Sequence, residues 1–141
     1  MVYEPLAELV EKNTQEVVRK TAETVVSRKL GRYAEFRPAQ LAQFFVPTMQ
    51  MVVRYLRKGN VNEWREFLVN TSRDLYKRGY ATEDVNAATV ILAAKIIELI
   101  ERKMPGPENA ELRIAYVRKI ESLRTIAKVS IVNTHILKGA S

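Results

Sequence analysis

Apolar residues recur at three- and four-residue steps along most of the chain, and punctuation divides it into five helical segments. The first is predicted from about Tyr3 or Glu4 to Lys29, with Pro5 in its opening turn, where a missing N–H costs little. Its stripe is Leu6, Leu9, Val10, Val17, Val18, Val25 and Val26, interrupted by Asn13, Thr14, Thr21 and Thr24, and Gly31 suits a left-handed cap after Leu30. The second starts near Pro38 and ends by Lys58-Gly59, and Pro47 inside it predicts a kink or a division near Phe44–Pro47. The third opens with Asn60 as cap and Glu63 three residues on, and runs to Arg78-Gly79. The fourth is predicted to be capped by Thr82 and carries the cleanest single stripe, Val85, Ala88, Thr89, Leu92, Ile96 and Leu99, before Pro105-Gly106-Pro107 stops it.

The fifth segment, from about Pro107 or Glu108 to Leu137, has two apolar surfaces. Tyr116, Ile120, Leu123, Ala127, Ser130, Thr134 and Leu137 follow alternating steps of four and three, a heptad-like seam. Ile114, Val117, Ile126, Val129 and Ile136 form a second one. One such surface can pack on the domain's own core, and the other needs a partner. No alternating run bounded by hairpin turns occurs, so the predicted class is all-α: a bundle of about five helices with a long last helix.

Composition narrows the functional classes. The 141 residues, 47% hydrophobic with 5 Gly and 5 Pro, amount to one domain with a real core, spanning residues 1–141. With no cysteine there is no disulfide framework and no thiolate site. The apolar run 85–100 carries Asn86, Lys95 and Glu98, too polar for a membrane span, and the N-terminus lacks the pattern of a secretory signal, so a cytoplasmic protein is expected. The net charge of +7 is spread out: residues 1–58 hold ten basic and six acidic side chains, and residues 59–104 hold seven of each. Basic pairs such as Arg57-Lys58 and Arg102-Lys103 fall at helix ends, where cations complement the helix dipole. That distribution argues against nucleic acid as the partner, although a basic regulatory domain that binds it is the first alternative.

Catalytic chemistry finds little support. Glu63 and Glu66, Glu98 and Glu101, and Glu108 and Glu111 share helix faces, but no Glu-x-x-His accompanies them, so no metal site is expected. His135, the single histidine, sits near the end of the last helix and reads as a surface or interface residue. There is no Gly-rich phosphate loop, and no base is marked out beside any serine or threonine. No catalytic residue and no cofactor is therefore assigned. The remaining candidate is an aromatic set around the Pro47 break, Phe44, Phe45, Tyr55, Trp64, Phe67 and Tyr76, which would line a pocket for a small apolar ligand.

The long first helix, the run Arg78-Gly79-Tyr80-Ala81-Thr82-Glu83-Asp84-Val85 opening the fourth, and the long last helix together resemble bacterial sensor modules of the globin superfamily. The nearest likeness is to the N-terminal non-haem globin domains of stressosome RsbR-type proteins. The resemblance implies a globin-like helical homodimer in a stress response, whose last helix passes a signal to a downstream output domain or partner. No histidine stands where haem globins place theirs, which favours the non-haem branch over a haem-binding sensor, the second alternative. The chain then reads as an excised sensory domain or as a protein acting through partners. The dimer interface falls to Tyr116, Ile120, Leu123, Ala127, Ser130, Thr134 and Leu137, so Leu123→Glu should abolish pairing and leave helicity intact.

Overall fold

Among the described residues the chain is all-α. The computed structural model describes the backbone of residues 3–140 and the side chains of residues 3–135. In order come α1 (Glu4–Lys12), α2 (Thr14–Ser27), a 3-10 turn (Gly31–Glu35), α3 (Pro38–Phe44), α4 (Val46–Lys58), α5 (Val61–Lys77), α6 (Thr82–Lys103), a second 3-10 turn (Pro107–Asn109) and α7 (Ala110–Ala140).

The first predicted helix is two helices, and its polar residues explain why. The Asn13 amide donates to the Leu9 carbonyl at 2.8 Å and the Thr14 hydroxyl to that of Val10 at 3.1 Å. Such bonds offer the backbone an alternative to its own ladder, and the helix breaks at Asn13. Near Pro47 the division expected from the sequence lies at Phe45: α3 ends at Phe44 and α4 starts at Val46, with Pro47 in its first turn. Asn60 caps α5 as its spacing foretells, accepting from the Glu63 N–H at 3.0 Å. Thr82 does not cap α6. Ala81 takes that place without a side-chain bond.

α6 is the central element, packed on α2 along one side and on α7 along another. Besides the stripe expected from the sequence it buries Ile91, Ala93 and Ile100. α7 lies against both α5 and α6, while α1 packs on α4 and α2 on α3. Four ion pairs tie the layers together. Arg57 of α4 reaches Glu4 at 3.0 Å and Glu11 at 3.1 Å, Arg102 of α6 reaches Glu16 at 2.6 Å, and Arg54 pairs with Glu63. Exposed pairs of this kind contribute about 0–1 kcal/mol each, so the apolar core dominates.

The end of α2 differs from the sequence expectation. The left-handed residue that closes the helix is Lys29, at φ 54°, ahead of Gly31. The Leu30 N–H then returns to the Val25 carbonyl at 3.4 Å, the hydrogen bond of a Schellman ending. A side chain in that conformation costs about 1–2 kcal/mol, which glycine avoids. Lys29→Gly is therefore expected to stabilise the fold by about 1 kcal/mol, after its own unfolded-state entropy is offset. Urea denaturation reads this as a raised midpoint at constant slope; a lowered midpoint would show that Lys29 is not strained.

Candidate functional site

The aromatic residues singled out from the sequence fall into three places. Phe44 and Phe45, at the α3–α4 break, meet at 5.7 Å between ring centroids, and both face Tyr33, at 6.0 and 6.1 Å. Tyr55 and Trp64 lie 6.4 Å apart, with Trp64 stacked on Phe67 at 6.2 Å. Tyr76 stands apart from both, edge-on to His135 at 5.7 Å. Of the six, Phe44, Phe45 and Phe67 line a small, partly open cavity of about 40 Å³ between α3, α4, α5 and α6, with Tyr33 of the 3-10 turn and Ile131 of α7 also on its wall. Trp64 lines a neighbouring void of about 20 Å³, while Tyr55 and Tyr76 line neither.

Two aromatic residues outside that set complete the group. Tyr33 comes from the 3-10 turn and Tyr80 from the α5–α6 connection, and their rings meet at 4.8 Å. Tyr80 follows Gly79, the left-handed glycine that ends α5, and its N–H returns to the Leu75 carbonyl at 3.0 Å. An apolar residue directly after a helix-ending glycine commonly packs back on the helix, and that signal marks Tyr80 in the sequence. The same connection holds the Arg78–Val85 run. Arg78 bonds Asp74 at 2.8 Å, and the Asp84 carboxylate lies so close to Gly31 that a Cβ there would collide with it. These residues therefore interlock the two turns.

Tyr33 is only 2% exposed. Burial pushes its hydroxyl well above the usual tyrosine range, with the charges of Tyr80 and Asp84 adding to the rise. Burial likewise raises Tyr76, Tyr80 and Tyr116. The interior carries no acid–base pair among the described residues, and none of their histidine, aspartate and glutamate side chains group in threes as a metal site would require. His135 is exposed and lies outside the residues lining the cavity. A volume of about 40 Å³ is far below the several hundred Å³ of a cofactor pocket, so the surrounding residues do not fit a haem. A wide surface groove of about 450 Å³ runs beside α1 and α4, past Glu11, Thr14, Met51, Arg54, Arg57 and Lys58. Its two arginines are committed to Glu4, Glu11 and Glu63, which also reduces the positive field of the basic N-terminal third.

The heptad-like seam of α7 is inside the chain. Tyr116, Ile120, Leu123, Ala127, Ser130 and Thr134 are all buried, and α5 and α6 are the elements packed on α7. The side chain of Leu137 lies outside the described residues. Trp64 Nε1 donates to the Leu123 carbonyl at 3.4 Å and the Tyr76 hydroxyl to the Ile131 carbonyl at 2.9 Å, fixing the register of α5 against α7. Leu123 therefore already has its apolar partners within the chain, and Leu123→Glu would put a carboxylate in the core instead of breaking a contact between copies. What α7 turns outward is a second set: Ile114 is 49% exposed, Val129 55% and Val132 36%. Of the second surface read from the sequence, Val117 and Ile126 are half-buried against the core, and the side chain of Ile136 is not described.

No helix among the described residues is long and apolar enough to cross a membrane. No protein-family model, no curated protein and no solved structure matches the chain.

The raised Tyr33 gives a pH prediction of defined sign. An unfolded tyrosine loses its proton near pH 10, whereas the buried one holds it, so the stability it supplies is complete below that value and lost as pH rises above it. The thermal midpoint is expected to fall between about pH 9.5 and 11, and to fall less steeply in Tyr33→Phe. Scanning calorimetry across that range would show identical slopes if Tyr33 played no part.

Proposed function

We propose that the chain is a non-catalytic sensory or regulatory domain that pairs with a second copy through the outward face of α7. A change in that pairing would pass a signal along the helix to a downstream domain or partner. The observation that carries this reading is the row Ile114, Val129 and Val132, three β-branched residues facing solvent on one helix whose inner face is already filled. Placed on an ideal helix, the three fall within about 60° of one another, on the side opposite Tyr116 and Ala127. A helix of 31 residues, about 46 Å long, gives such a row enough length to meet another helix.

A second copy suits the row better than an unrelated surface. Ile114 lies near one end of the helix and Val129 and Val132 towards the other, with Arg118, Glu121 and Thr125 between them. An antiparallel partner of the same sequence brings the apolar ends together, Ile114 against Val132. A globin-like arrangement and a role in stress signalling belong to the same reading and rest on the resemblance of the Arg78–Val85 run. A relay also requires two arrangements of α7 that differ in free energy by a few kcal/mol, which the signal shifts.

Two kinds of substitution separate the faces. The native chain is expected to run on light scattering at twice its 16.2 kDa mass. Val129→Lys with Val132→Lys should yield a monomer of unchanged helicity. Leu123→Glu, in contrast, should lose helicity and thermal stability, because an unpaired buried charge costs about 4 kcal/mol or more. A native chain that stays monomeric at about 100 μM, near the weak end of specific pairing, would exclude the proposed interface.

A further inference from the structure

We infer that the exposed side shared by α5 and α7 is a docking surface for double-stranded DNA, held by its phosphates without regard to base sequence. Positive charge is spread along the sequence, and the fold sorts it. On the N-terminal helices Arg19, Lys20, Arg54 and Arg57 have acidic partners. Lys12, Arg28, Lys29 and Lys58 lie at helix C-terminal ends, where the dipole favours cations. On α5 and α7, in contrast, Arg65, Arg73, Lys77, Arg124 and Lys128 are exposed, and none forms an ion pair among the described residues.

The bonds that set α5 against α7 bring these five to one side. Trp64 reaches the Leu123 carbonyl and Tyr76 the Ile131 carbonyl, so the two helices run side by side in the same direction. On ideal helices Arg65 and Arg73 fall within about 60° of Tyr76, and Arg124 and Lys128 within about 60° of Ile131. They therefore flank the seam between α5 and α7, and from Arg65 to Lys77 the cations extend over about 18 Å. Glu66 and Glu121 are the acids exposed beside them without an ion pair, and Asp74 is taken by Arg78.

A solvated helix face is laced differently. On α2 and α6, cations meet acids one turn away: Lys20 with Glu16, Arg19 with Glu23, Lys95 with Glu98. Here Arg73 is followed at four residues by Lys77, and Arg124 by Lys128. Like charges at that spacing destabilise a helix, so the fold gains nothing from this arrangement. Nor does the dipole explain it, since Arg65 stands near the start of α5 and Arg124 and Lys128 midway along α7. The chemistry of the face narrows the partner. Every exposed residue of α5 is charged or an asparagine, so that helix offers no apolar anchor of the kind a protein interface centres on. Neither helix exposes a large aromatic ring on which single-stranded bases would stack. Cations interleaved with the amides of Asn62 and Asn70 suit the phosphate backbone of a duplex.

Fluorescence anisotropy of a labelled DNA duplex of random sequence, titrated with the full chain, tests the surface. Saturable binding is expected, and with four to five phosphate contacts log K should fall against log salt with a slope of about −4. Lys77→Glu with Lys128→Glu should weaken binding by about 50-fold or more in about 0.1 M salt. Its thermal midpoint should hold or rise, because both like-charge pairs become ion pairs. Should that variant not fold, Arg73→Gln with Lys128→Gln carries the same test. Lys12→Glu with Lys103→Glu, the same change of net charge on α1 and α6, should weaken binding less than about fivefold, since salt screens distant charges. No saturable binding in about 0.05 M salt, or an equal loss in the two charge-reversed variants, would overturn the inference. So would displacement of the duplex by polyglutamate at equal charge, which would identify an acidic protein segment as the partner. The surface does not depend on pairing through α7: a native chain found monomeric should bind the duplex all the same, so either proposal can fail without the other.

Discussion

Everything outward on this domain follows from how the inner seam of α7 is used. Tyr116, Ile120, Leu123, Ala127 and Ile131 are buried against the rest of the same chain. Each large side chain among them contributes about 1.5–3 kcal/mol by leaving water, more than any exposed ion pair in the bundle. The hydrogen bonds from Trp64 and Tyr76 to α7 carbonyls then set which residues face in. Sliding or rotating α7 to offer that seam to another molecule would expose the core and leave the Trp64 N–H and Tyr76 hydroxyl to find other partners. The inner face is committed, and the large apolar residues that α7 leaves outward are Leu112, Ile114, Val129 and Val132.

The helices were largely legible from the chain, because glycine, proline and the Asn60 cap mark their ends in ways set by backbone geometry. The seam of α7 was legible as an apolar stripe, but its role was not. A step of four and three looks the same whether the facing residues belong to α5 and α6 or to a second copy, and only the tertiary arrangement decides between them. The second surface was over-read for a related reason. Val117 and Ile126 sit on the flanks of the seam and are half-covered, which leaves a narrower outer row than the sequence suggested.

The aromatic region was legible in part. Phe44, Phe45 and Phe67 line the cavity, the first two brought there by the break at Phe45 that Pro47 signals and Phe67 by α5. Tyr55 and Tyr76 point to other tasks: Tyr55 lies under the Lys119 ammonium, 4.7 Å from its ring centroid, and Tyr76 holds α7. Tyr33 and Tyr80 went unread because they stand in connections, where period carries no information. The turns that hold them are fixed by contacts between segments far apart in sequence, such as Gly31 against Asp84.

The central claim is that two copies meet along the outward face of α7. The chain has no cysteine, so a single spin label can be placed without background. Labels at Glu121, exposed beside the outer row, and at Glu23, exposed on α2, should be compared by pulsed dipolar spectroscopy on the native-mass species. Two helices packed face to face lie about 8–10 Å apart, so the Glu121 labels should come within about 25 Å of each other and the Glu23 labels much farther. A short distance at Glu23, or no dipolar coupling at Glu121, would contradict the account.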